Sequence, residues 1–400
     1  MNILYLTQFF DPEPTFIKLN FVKELITHDH HVDVLTGYPN YPNGKTYDGY
    51  KNVRRKTEWQ DGIRIVRVPV YPSHDHSGLK RIINYGSFGL STSVLGLFGL
   101  KPDIVFALGI PTVDFTLSLF RWFRRSKIVI QVQDLWPESV TESGMMRNKI
   151  LEKILSWQCQ AFYRKANGIV VISEGFKENL IARGIKPEAI EIVHNWCDEQ
   201  SMRPAQFREK LPEEPFTILF AGNIGILQSL ETVLEATLYL QNQNKNIRFR
   251  LIGHGVKVSE LKNRAAELKL TNIEFIPPVP IDEISLEYDK VDALLIHLKD
   301  IKLFEITVPS KTQAYLYAGK PILCGVRGDT ATLIEQARAG FCFEPENAES
   351  LANTAIKMSE MTHEQLAEMG QNGHEYYMKH LCFKKGVDKI DTFLRKVIGQ

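Results

Sequence analysis

The residues best suited to chemistry lie in two segments of the second half of the chain. The first segment, residues 220–231, follows an apolar run and places Gly222, Asn223, Gly225 and Gln228 ahead of a helix. Glycines there let a ligand approach the backbone, and a helix N-terminus presents free N–H groups to phosphate. The pattern also occurs where glycine serves turn geometry alone, so a purely structural interpretation stays open.

The second segment, residues 305–322, predicts a helix that starts at Pro309 and Ser310, with Ser310 as the N-cap or a first-turn residue, and that Gly319 closes. Lys311 would then lie near the N-terminal end, beside a place that suits an anion. Gln313 falls in or just past the first turn, where an amide can bond a ribose hydroxyl. The competing interpretation is an ordinary capped helix with a solvated lysine.

Candidate groups in the first half follow predicted strands. Asp134 and Glu138 bracket an aromatic residue and a proline, and paired carboxylates can orient sugar hydroxyls or accept a proton. Asp11 and Glu13 lie in the opening loop, and Tyr41 lies in a turn-rich loop after the second strand; loops at that edge often contact a substrate. The alternatives are a helix cap at Asp134 and plain turns elsewhere.

Several patterns are absent from the sequence. It has no D-x-D pair and no G-x-x-x-x-G-K-[ST] phosphate loop, and the opening loop has no glycine-rich dinucleotide fingerprint. His28, His30 and His31 cluster without a matching carboxylate or cysteine pattern, so we interpret them as surface histidines and expect no metal site. The five cysteines are odd in number and far apart, which favours reduced thiols in a cytoplasmic protein.

The elements that must position these groups alternate in type along the chain. Short β-branched runs separated by helix-length segments predict βαβ units and parallel sheets. The predicted strands are residues 3–7, 32–36, 63–70, 104–108, 128–132, 169–172 and 190–193, then 217–221, 248–252, 273–276, 293–296, 321–325 and 340–343. Two such sets predict an α/β protein with two doubly wound, Rossmann-like domains, with a ligand site in the cleft between them.

The domain limits follow from composition. A polar, proline-containing stretch at 195–215 predicts a joint, which gives domains of 1–197 and 198–375. The tail, 376–400, carries an apolar stripe at helical spacing and is expected to pack back on the first domain. The formal net charges of these three segments are +5, −8 and +4, for a total of +1. That total argues against a general nucleic-acid binder.

Two features suggest contact with a membrane surface. The most apolar window, residues 86–100, is shorter than a membrane span, and residues 121–125 form a basic, aromatic cluster that suits a membrane interface. A basic first domain also suits an anionic partner such as a pyrophosphate-linked lipid. A solvated helix end and an ordinary charge imbalance are the alternatives.

Four blocks together resemble the family 4 retaining glycosyltransferases, within a bacterial surface-polysaccharide branch that includes fucosamine-type transferases. They are YPNYPNGK, QDLWPES, FAGNIG with QSLE, and VPSKTQAYLYAGKPI. The resemblance implies a GT-B fold, a nucleotide-sugar donor, expected to be UDP-linked, in the C-terminal domain, and an acceptor on the N-terminal domain. It also implies retention of anomeric configuration by front-face substitution, with no metal or other cofactor required.

The chain departs from the wider family at its charged positions. The second glutamate of a Glu-x7-Glu pair is Gln313 here, with Glu305 as the first, and an Arg and a Lys that hold the diphosphate correspond to Asn223 and Gln228. Lys311, with Lys302 or Lys299, is expected to supply the missing charge. The expected donor contacts are Gly222, Asn223, Gly225, Gln228, Gly253, Lys302, Ser310, Lys311 and Gln313. The expected acceptor contacts are Asp11, Glu13, Tyr41 and Glu138, and Asp134 and Glu305 are the candidate catalytic groups.

The hypothesis is therefore a hexosyl- or N-acetylhexosaminyl-type transferase that acts on a glycan or a polyprenyl-pyrophosphate-linked sugar. Its expected location is the cytoplasm, at the inner face of the membrane. One alternative is a GT-B nucleotide-sugar epimerase, which would need acid and base groups around the donor C2 and no acceptor. Another is a non-catalytic nucleotide-sugar-binding subunit, for which the Gln313 replacement would be a sign of lost activity. The sequence leaves open the sugar, the acceptor and linkage, and the oligomeric state.

Overall fold

The computed structural model describes every residue except 16, 74–77, 110, 137, 139–148, 209–210, 212 and 400. The chain forms two compact units. The first unit comprises Met1–Ile172, Phe176–Val193 and Val387–Gln400, and the second comprises Ser173–Gly175 and His194–Gly386. Before the tail returns, the first unit thus ends four residues before the predicted domain limit at 197, and the tail joins it at Val387, later than the predicted residue 376.

The first unit is built on one eight-stranded sheet with the order β3-β4-β2-β1-β5-β6-β7-β8, in which only the β3–β4 pair is antiparallel. Its strands are β1 (Asn2–Leu6), β2 (His31–Gly37), β3 (Lys56–Gln60), β4 (Ile63–Val68), β5 (Ile104–Leu108), β6 (Lys127–Val132), β7 (Gly168–Val171) and β8 (Ile190–Ile192). Its helices are α1 (Leu19–Thr27), α2 (Gly78–Leu95), α3 (Asp114–Leu119), α4 (Lys149–Lys165) and α5 (Glu174–Ala182). A π-helical turn, Phe120–Arg124, extends α3.

The second unit is built on a six-stranded parallel sheet with the order β11-β10-β9-β12-β13-β14. Its strands are β9 (Phe216–Asn223), β10 (Ile247–His254), β11 (Ile273–Ile276), β12 (Ala293–His297), β13 (Ile322–Gly325) and β14 (Gly340–Cys342). Its helices are α6 (Glu231–Asn242), α7 (Val258–Glu267), α8 (Ile284–Asp289), α9 (Lys302–Glu305), α10 (Ser310–Ala318), α11 (Asp329–Gln336), α12 (Ala348–Ser359) and α13 (His363–His380).

The central strands are buried on both faces. All the side chains of β12 and of β13 are buried, and apolar clusters lie on each side of the second sheet. Continuous apolar runs of this kind are typical of parallel strands covered by helices. The sequence prediction of two parallel, Rossmann-like sheets is confirmed.

The last helix, α14 (Phe383–Ile398), returns to the first unit, as predicted. Its apolar stripe, which includes Val387, Ile390 and Phe393, is buried. Asp391 on the same helix bonds His30 Nε2 at 2.5 Å. The expectation that His30 lies on the surface was wrong, because the returning helix covers it and provides its partner.

The tail joins the first unit later than predicted because α13 stays with the second unit. Tyr377, near the end of α13, is fully buried in the apolar core of the second unit. Its hydroxyl donates to Glu199 Oε1 at 2.5 Å and accepts from the Cys197 N–H at 3.1 Å. The chain leaves this core only after the break between α13 and α14.

Candidate functional site

Two glycines bring β9 and β10 together at their carboxyl ends. Gly222 and Gly253 are register partners in these strands, and both have positive φ angles, 142° and 149°. A Cβ atom on Gly253 would lie 1.8 Å from the Gly222 carbonyl oxygen. Only glycine fits this approach, and the result is an open edge of bare backbone where ligands of parallel sheets bind.

The loop that follows β9 is held from the neighbouring strand ends. His297, at the end of β12, bonds the Gln228 carbonyl through Nδ1 at 2.8 Å, and its Nε2 accepts from the Glu346 N–H at 3.1 Å. The Ser229 hydroxyl donates to Glu346 Oε1 at 2.7 Å. Burial lowers the pKa of His297, so the ring is neutral with its proton on Nδ1. This network fixes the loop ahead of α6.

Lys311 places a buried amine beside this edge. Its Nζ lies 3.5 Å from the centre of the Phe220 ring and 3.4 Å from where a Cβ atom on Gly222 would be. Among the residues that the structure describes, this nitrogen has no hydrogen-bond partner. Burial lowers the pKa of Lys311 to about 7. The ring face stabilises the ammonium form, yet the group still lacks an anion.

Asn223 and Gln228, which correspond to an Arg and a Lys in the wider family, are hydrogen-bonded to each other through their side-chain amides. Gln228 Oε1 accepts from Asn223 Nδ2 at 3.3 Å and from the Gly225 N–H at 3.1 Å. Lys257, which donates its N–H to the Ile224 carbonyl, already pairs its amine with acidic side chains of α6 and α7. Lys311 therefore differs from Lys257 in having a buried amine with no acidic or hydrogen-bonding partner in the described structure.

A recess opens on the other side of the glycine pair. It has a volume of about 320 Å³ and is lined by Ile224, Gly253, Lys262, Phe275 and Pro277, among others. Its walls come from the ends of β9, β10 and β11 and from α7. A mostly apolar slot next to an exposed backbone edge suits a flat ring such as a nucleobase.

The residues around α10 that were predicted to bind the donor differ in their exposure to solvent. The helix begins at Ser310 and ends before Gly319, as predicted, and Ser310, Lys302 and Glu305 have exposed side chains. Gln313 is buried, and with its amide oriented to suit its neighbours it donates to the carbonyls of Pro309 and Ser310 at 3.0 and 3.1 Å. The sequence expectation for Gln313 does not hold, because its donors serve the helix start and not an open surface.

In the first unit, Asp134 lies two residues after the end of β6 and its side chain reaches solvent. Desolvation by surrounding protein nevertheless raises the pKa of Asp134. Glu138 forms an ion pair with Arg183. The two carboxylates therefore differ, with Asp134 suited to accept a hydroxyl hydrogen and Glu138 engaged with a cation.

The acidic residues of the opening loop bind backbone N–H groups, which contradicts the expected acceptor contact for the buried Glu13, while the half-buried Asp11 stays a predicted acceptor contact. Glu13 is buried and accepts backbone N–H groups from Phe10, Asn40 and Tyr41 at 3.0, 2.7 and 2.8 Å. Asp11 accepts the first N–H of α1, from Leu19, at 2.5 Å. Both carboxylates are turned towards backbone donors that no spacing rule reveals. The Tyr41 side chain is half-buried, with its ring 5.3 Å from that of Phe9.

Comparison with family models covers most of the chain. Residues 19–196 match the model described as glycosyl transferase 4-like domain, and residues 202–376 match the model described as glycosyl transferases group 1. The chain belongs to the family 4 glycosyltransferases. The carboxyl strand ends of the second unit are therefore the candidate site of a glycosyltransferase.

Known structures and relatives agree with this assignment. The GT-B fold is shared with sucrose-phosphate synthase from Thermosynechococcus elongatus, at a TM-score of 0.68 and 13% identity over 100% of this chain and 99% of that one. Anabaena Alr3699/HepE, solved with UDP-glucose, matches at a TM-score of 0.66 and 14% identity over the whole of both chains.

Among relatives by sequence, WcaI of Escherichia coli, which is named as a colanic acid biosynthesis glycosyl transferase, is 24% identical over 82% of this chain and 84% of its own. WbjE of Pseudomonas aeruginosa, named as a glycosyltransferase, is 25% identical over 62% of this chain and 63% of its own.

Sequence reasoning missed several residues of this glycosyltransferase site. His297 and Glu346 lay in no motif, and Phe220 begins the FAGNIG block but was given no role, since each acts through a contact with a distant part of the chain. The signal for His297 was a lone polar residue that ends an otherwise apolar strand. Such a residue at a carboxyl strand end is a candidate for the edge where ligands bind.

Proposed function

We propose that this glycosyltransferase transfers a sugar from a UDP-sugar to a glycan or polyprenyl-pyrophosphate-linked acceptor in surface polysaccharide synthesis. The observation that carries the proposal is the buried amine of Lys311 beside Gly222, without an anionic partner in the described structure. Burying the charged form of an amine costs free energy unless an anion pairs with it. The diphosphate of a nucleotide sugar has the charge and the size to do so.

The neighbouring groups suit the other parts of such a donor. The N-terminus of α10, at Ser310, offers backbone N–H groups and a favourable dipole to phosphate oxygens. The recess lined by Ile224 and Phe275 would take the base. Asn223, Gly225 and Gln228 would meet the diphosphate as neutral hydrogen-bonding groups, while Lys311 supplies the charge.

The proposed reaction is retaining and metal-independent. The bond between the sugar C1 and the diphosphate oxygen breaks, and the bond from C1 to the acceptor oxygen forms on the same face. The acceptor proton passes to a diphosphate oxygen. Asp134 would orient the acceptor hydroxyl, and Glu305 would bond hydroxyls of the donor sugar. The protein acts by stabilising the departing diphosphate and positioning the acceptor.

The choice of UDP as the nucleotide and of surface polysaccharide synthesis as the pathway is supported by similarity to other proteins. UDP is chosen from the family resemblance, and a structural neighbour has been solved with UDP-glucose. Surface polysaccharide synthesis is chosen because WcaI is named for colanic acid biosynthesis. The corresponding sugar would be a hexose or an N-acetylhexosamine, added at the cytoplasmic face of the membrane.

The first experiment is calorimetry with UDP, GDP, ADP, TDP and CMP on the wild type, Lys311→Met and the matched control Lys379→Ala. Lys379 is an exposed lysine on α13 of the same unit and belongs to none of the expected donor contacts, so its loss removes a positive charge without touching the site. The expected result is selective binding of UDP that is lost in Lys311→Met and kept in Lys379→Ala. A folded wild type that binds none of these nucleotides would sink the proposal.

Turnover is tested separately with Asp134→Asn and a panel of UDP-sugars and acceptors. The expected result is that UDP affinity stays near that of the wild type while transfer falls by roughly a hundredfold or more, in the range for a lost acid–base or orienting group. Binding without transfer in the wild type, with every acceptor class tried, would favour the non-catalytic subunit instead.

A further inference from the structure

The first unit carries several large apolar side chains that face solvent on two adjoining elements. We refer to Leu90, Val94, Phe98, Phe115, Trp122 and Phe123 as the aromatic surface; each is between 58% and 69% exposed. Single exposed apolar residues are common, but six on α2, α3 and the turns that end them are not, and apolar patches of this kind mark interaction sites.

Helix α2 and helix α3 are locked together beneath this surface. A Cβ atom on Gly89 would lie 2.1 Å from the Thr112 carbonyl oxygen, so the helix backbone rests directly on the segment before α3. The Thr92 hydroxyl lies 2.8 Å from that of Thr116 inside the contact. Leu90 and Phe115, which flank these contact residues, are therefore held on a rigid pair of helices.

Arginines attach the remaining aromatic residues to the same place. The Arg124 guanidinium donates to the Leu97 carbonyl at 2.9 Å, which ties the turn containing Trp122 and Phe123 to the end of α2. The Arg55 guanidinium donates to the Phe98 carbonyl at 2.8 Å. The aromatic surface is thus one assembly and not a set of scattered side chains.

The rim of this surface is positively charged. Arg55, Arg121 and Arg124 donate to backbone carbonyls, and in the described part of the chain none of the three forms an ion pair with a carboxylate. The nearby Asp114 is already paired with Lys165 at 2.7 Å. Arg125 is exposed at the end of the same turn. The charge of the rim is therefore available to an anionic partner.

We propose that the aromatic surface docks on an anionic lipid bilayer. Tryptophan and phenylalanine flanked by arginine are the side chains that settle at a membrane–water interface, and each basic residue near an anionic surface adds attraction. A second copy of this chain is disfavoured as the occupant, since it would bring two uncompensated arginine clusters together. No helix in the described ranges is both long and apolar enough to cross a membrane, so the contact is peripheral.

This inference stands independently of the proposed function, because it concerns a different face and is measured by lipid binding. If the acceptor is lipid-linked, as the proposed function holds, docking would concentrate the enzyme at the bilayer that carries the acceptor. UDP affinity, measured on the same samples, separates the two: the docking variants should leave it unchanged.

The test is co-sedimentation of the full chain with vesicles of phosphatidylglycerol and phosphatidylcholine, or of phosphatidylcholine alone, at low and high salt. The variants are Trp122→Ser with Phe123→Ser, and Arg121→Gln with Arg125→Gln. Trp59→Ser is the matched control, since Trp59 is equally exposed, at 65%, on the edge strand β3. At roughly fivefold per basic side chain, the arginine pair should weaken binding to the anionic vesicles about 25-fold.

The expected result is binding to the anionic vesicles that weakens in high salt, falls in both double variants and is kept in Trp59→Ser, with unchanged thermal melting. Four results would overturn the proposal. They are no sedimentation at low salt, equal binding to neutral vesicles, unchanged binding in the double variants, or a dimer seen by light scattering that the same variants abolish.

Discussion

The lowered pKa of Lys311 predicts that donor binding takes up a proton. In the ligand-free protein this pKa is about 7, whereas an amine in contact with a diphosphate would return towards the ordinary value of roughly 10.4. Only the ammonium form can satisfy the anion. Above pH 7, UDP binding must therefore protonate Lys311. As the pH rises, the affinity for UDP falls in proportion to the fraction of Lys311 that is charged before binding.

The magnitude follows from that fraction. With a pKa of about 7, roughly 24% of Lys311 is charged at pH 7.5 and about 1% at pH 9, so UDP affinity should fall about 25-fold between them. Replacement by methionine keeps the length of the side chain and removes the charge. Because a desolvated charge partner is lost, Lys311→Met should weaken UDP by roughly 3 kcal/mol, or more than a hundredfold.

The assay is calorimetry at pH 7.5, 8.25 and 9 in two buffers of different ionisation enthalpy. The difference between buffers reports the protons bound, and about one proton per UDP is expected at pH 8.25 and at pH 9. Lys311→Arg is the control, since a guanidinium stays charged throughout; any binding it retains should be independent of pH in this range. Lys311→Met should melt no lower than the wild type, because it removes a buried amine that has no partner within the described structure.

Two results would refute the reasoning. One is a wild-type UDP affinity that is constant from pH 7.5 to 9 with no proton uptake. The other is a Lys311→Met variant that binds UDP as tightly as the wild type. Either would mean that the diphosphate does not reach the Lys311 amine.

Three further predictions concern stability. Gly253→Ala should lower the free energy of unfolding by more than roughly 3 kcal/mol, because its Cβ would lie 1.8 Å from a backbone oxygen. Gly62→Ala, where φ is also positive but the space is open, should lower it by about 1 kcal/mol. Equal losses of thermal stability in the two variants would contradict the close approach of the strands at Gly253. Burial lowers the pKa of His30 in the folded protein, so that as the pH falls the unfolded chain takes up this proton at a higher pH than the folded chain does. The free energy of unfolding should therefore decrease as the pH drops below about 6.5, and the decrease per pH unit should be smaller in a folded His30→Asn variant. Glu13→Gln should lower stability by roughly 2 kcal/mol, since its amide would turn a donor towards backbone N–H groups. An unchanged melting temperature would show that Glu13 does not hold the opening loop and the Tyr41 loop together.

The sequence determined the fold and the general position of the site. Alternating apolar runs and helical segments favour parallel sheets with covered faces, so groups at strand ends such as Gly222 and Asp134 were expected at carboxyl edges. The antiparallel β3–β4 pair was not part of that pattern. Lys311 was likewise placed near a helix N-terminus by its distance from the predicted helix start. These features depend on neighbours within a few residues, and local patterns record them.

Tertiary structure alone decided the direction and the charge state of the site's side chains. Glu13 binds N–H groups 27 and 28 residues away, and the Lys311 amine lies over the ring of Phe220 in another element. The Asp391 partner of His30 is 361 residues distant. Burial, orientation and pKa depend on what the folded chain brings from such distances, and the spacing of residues along the sequence does not contain that information.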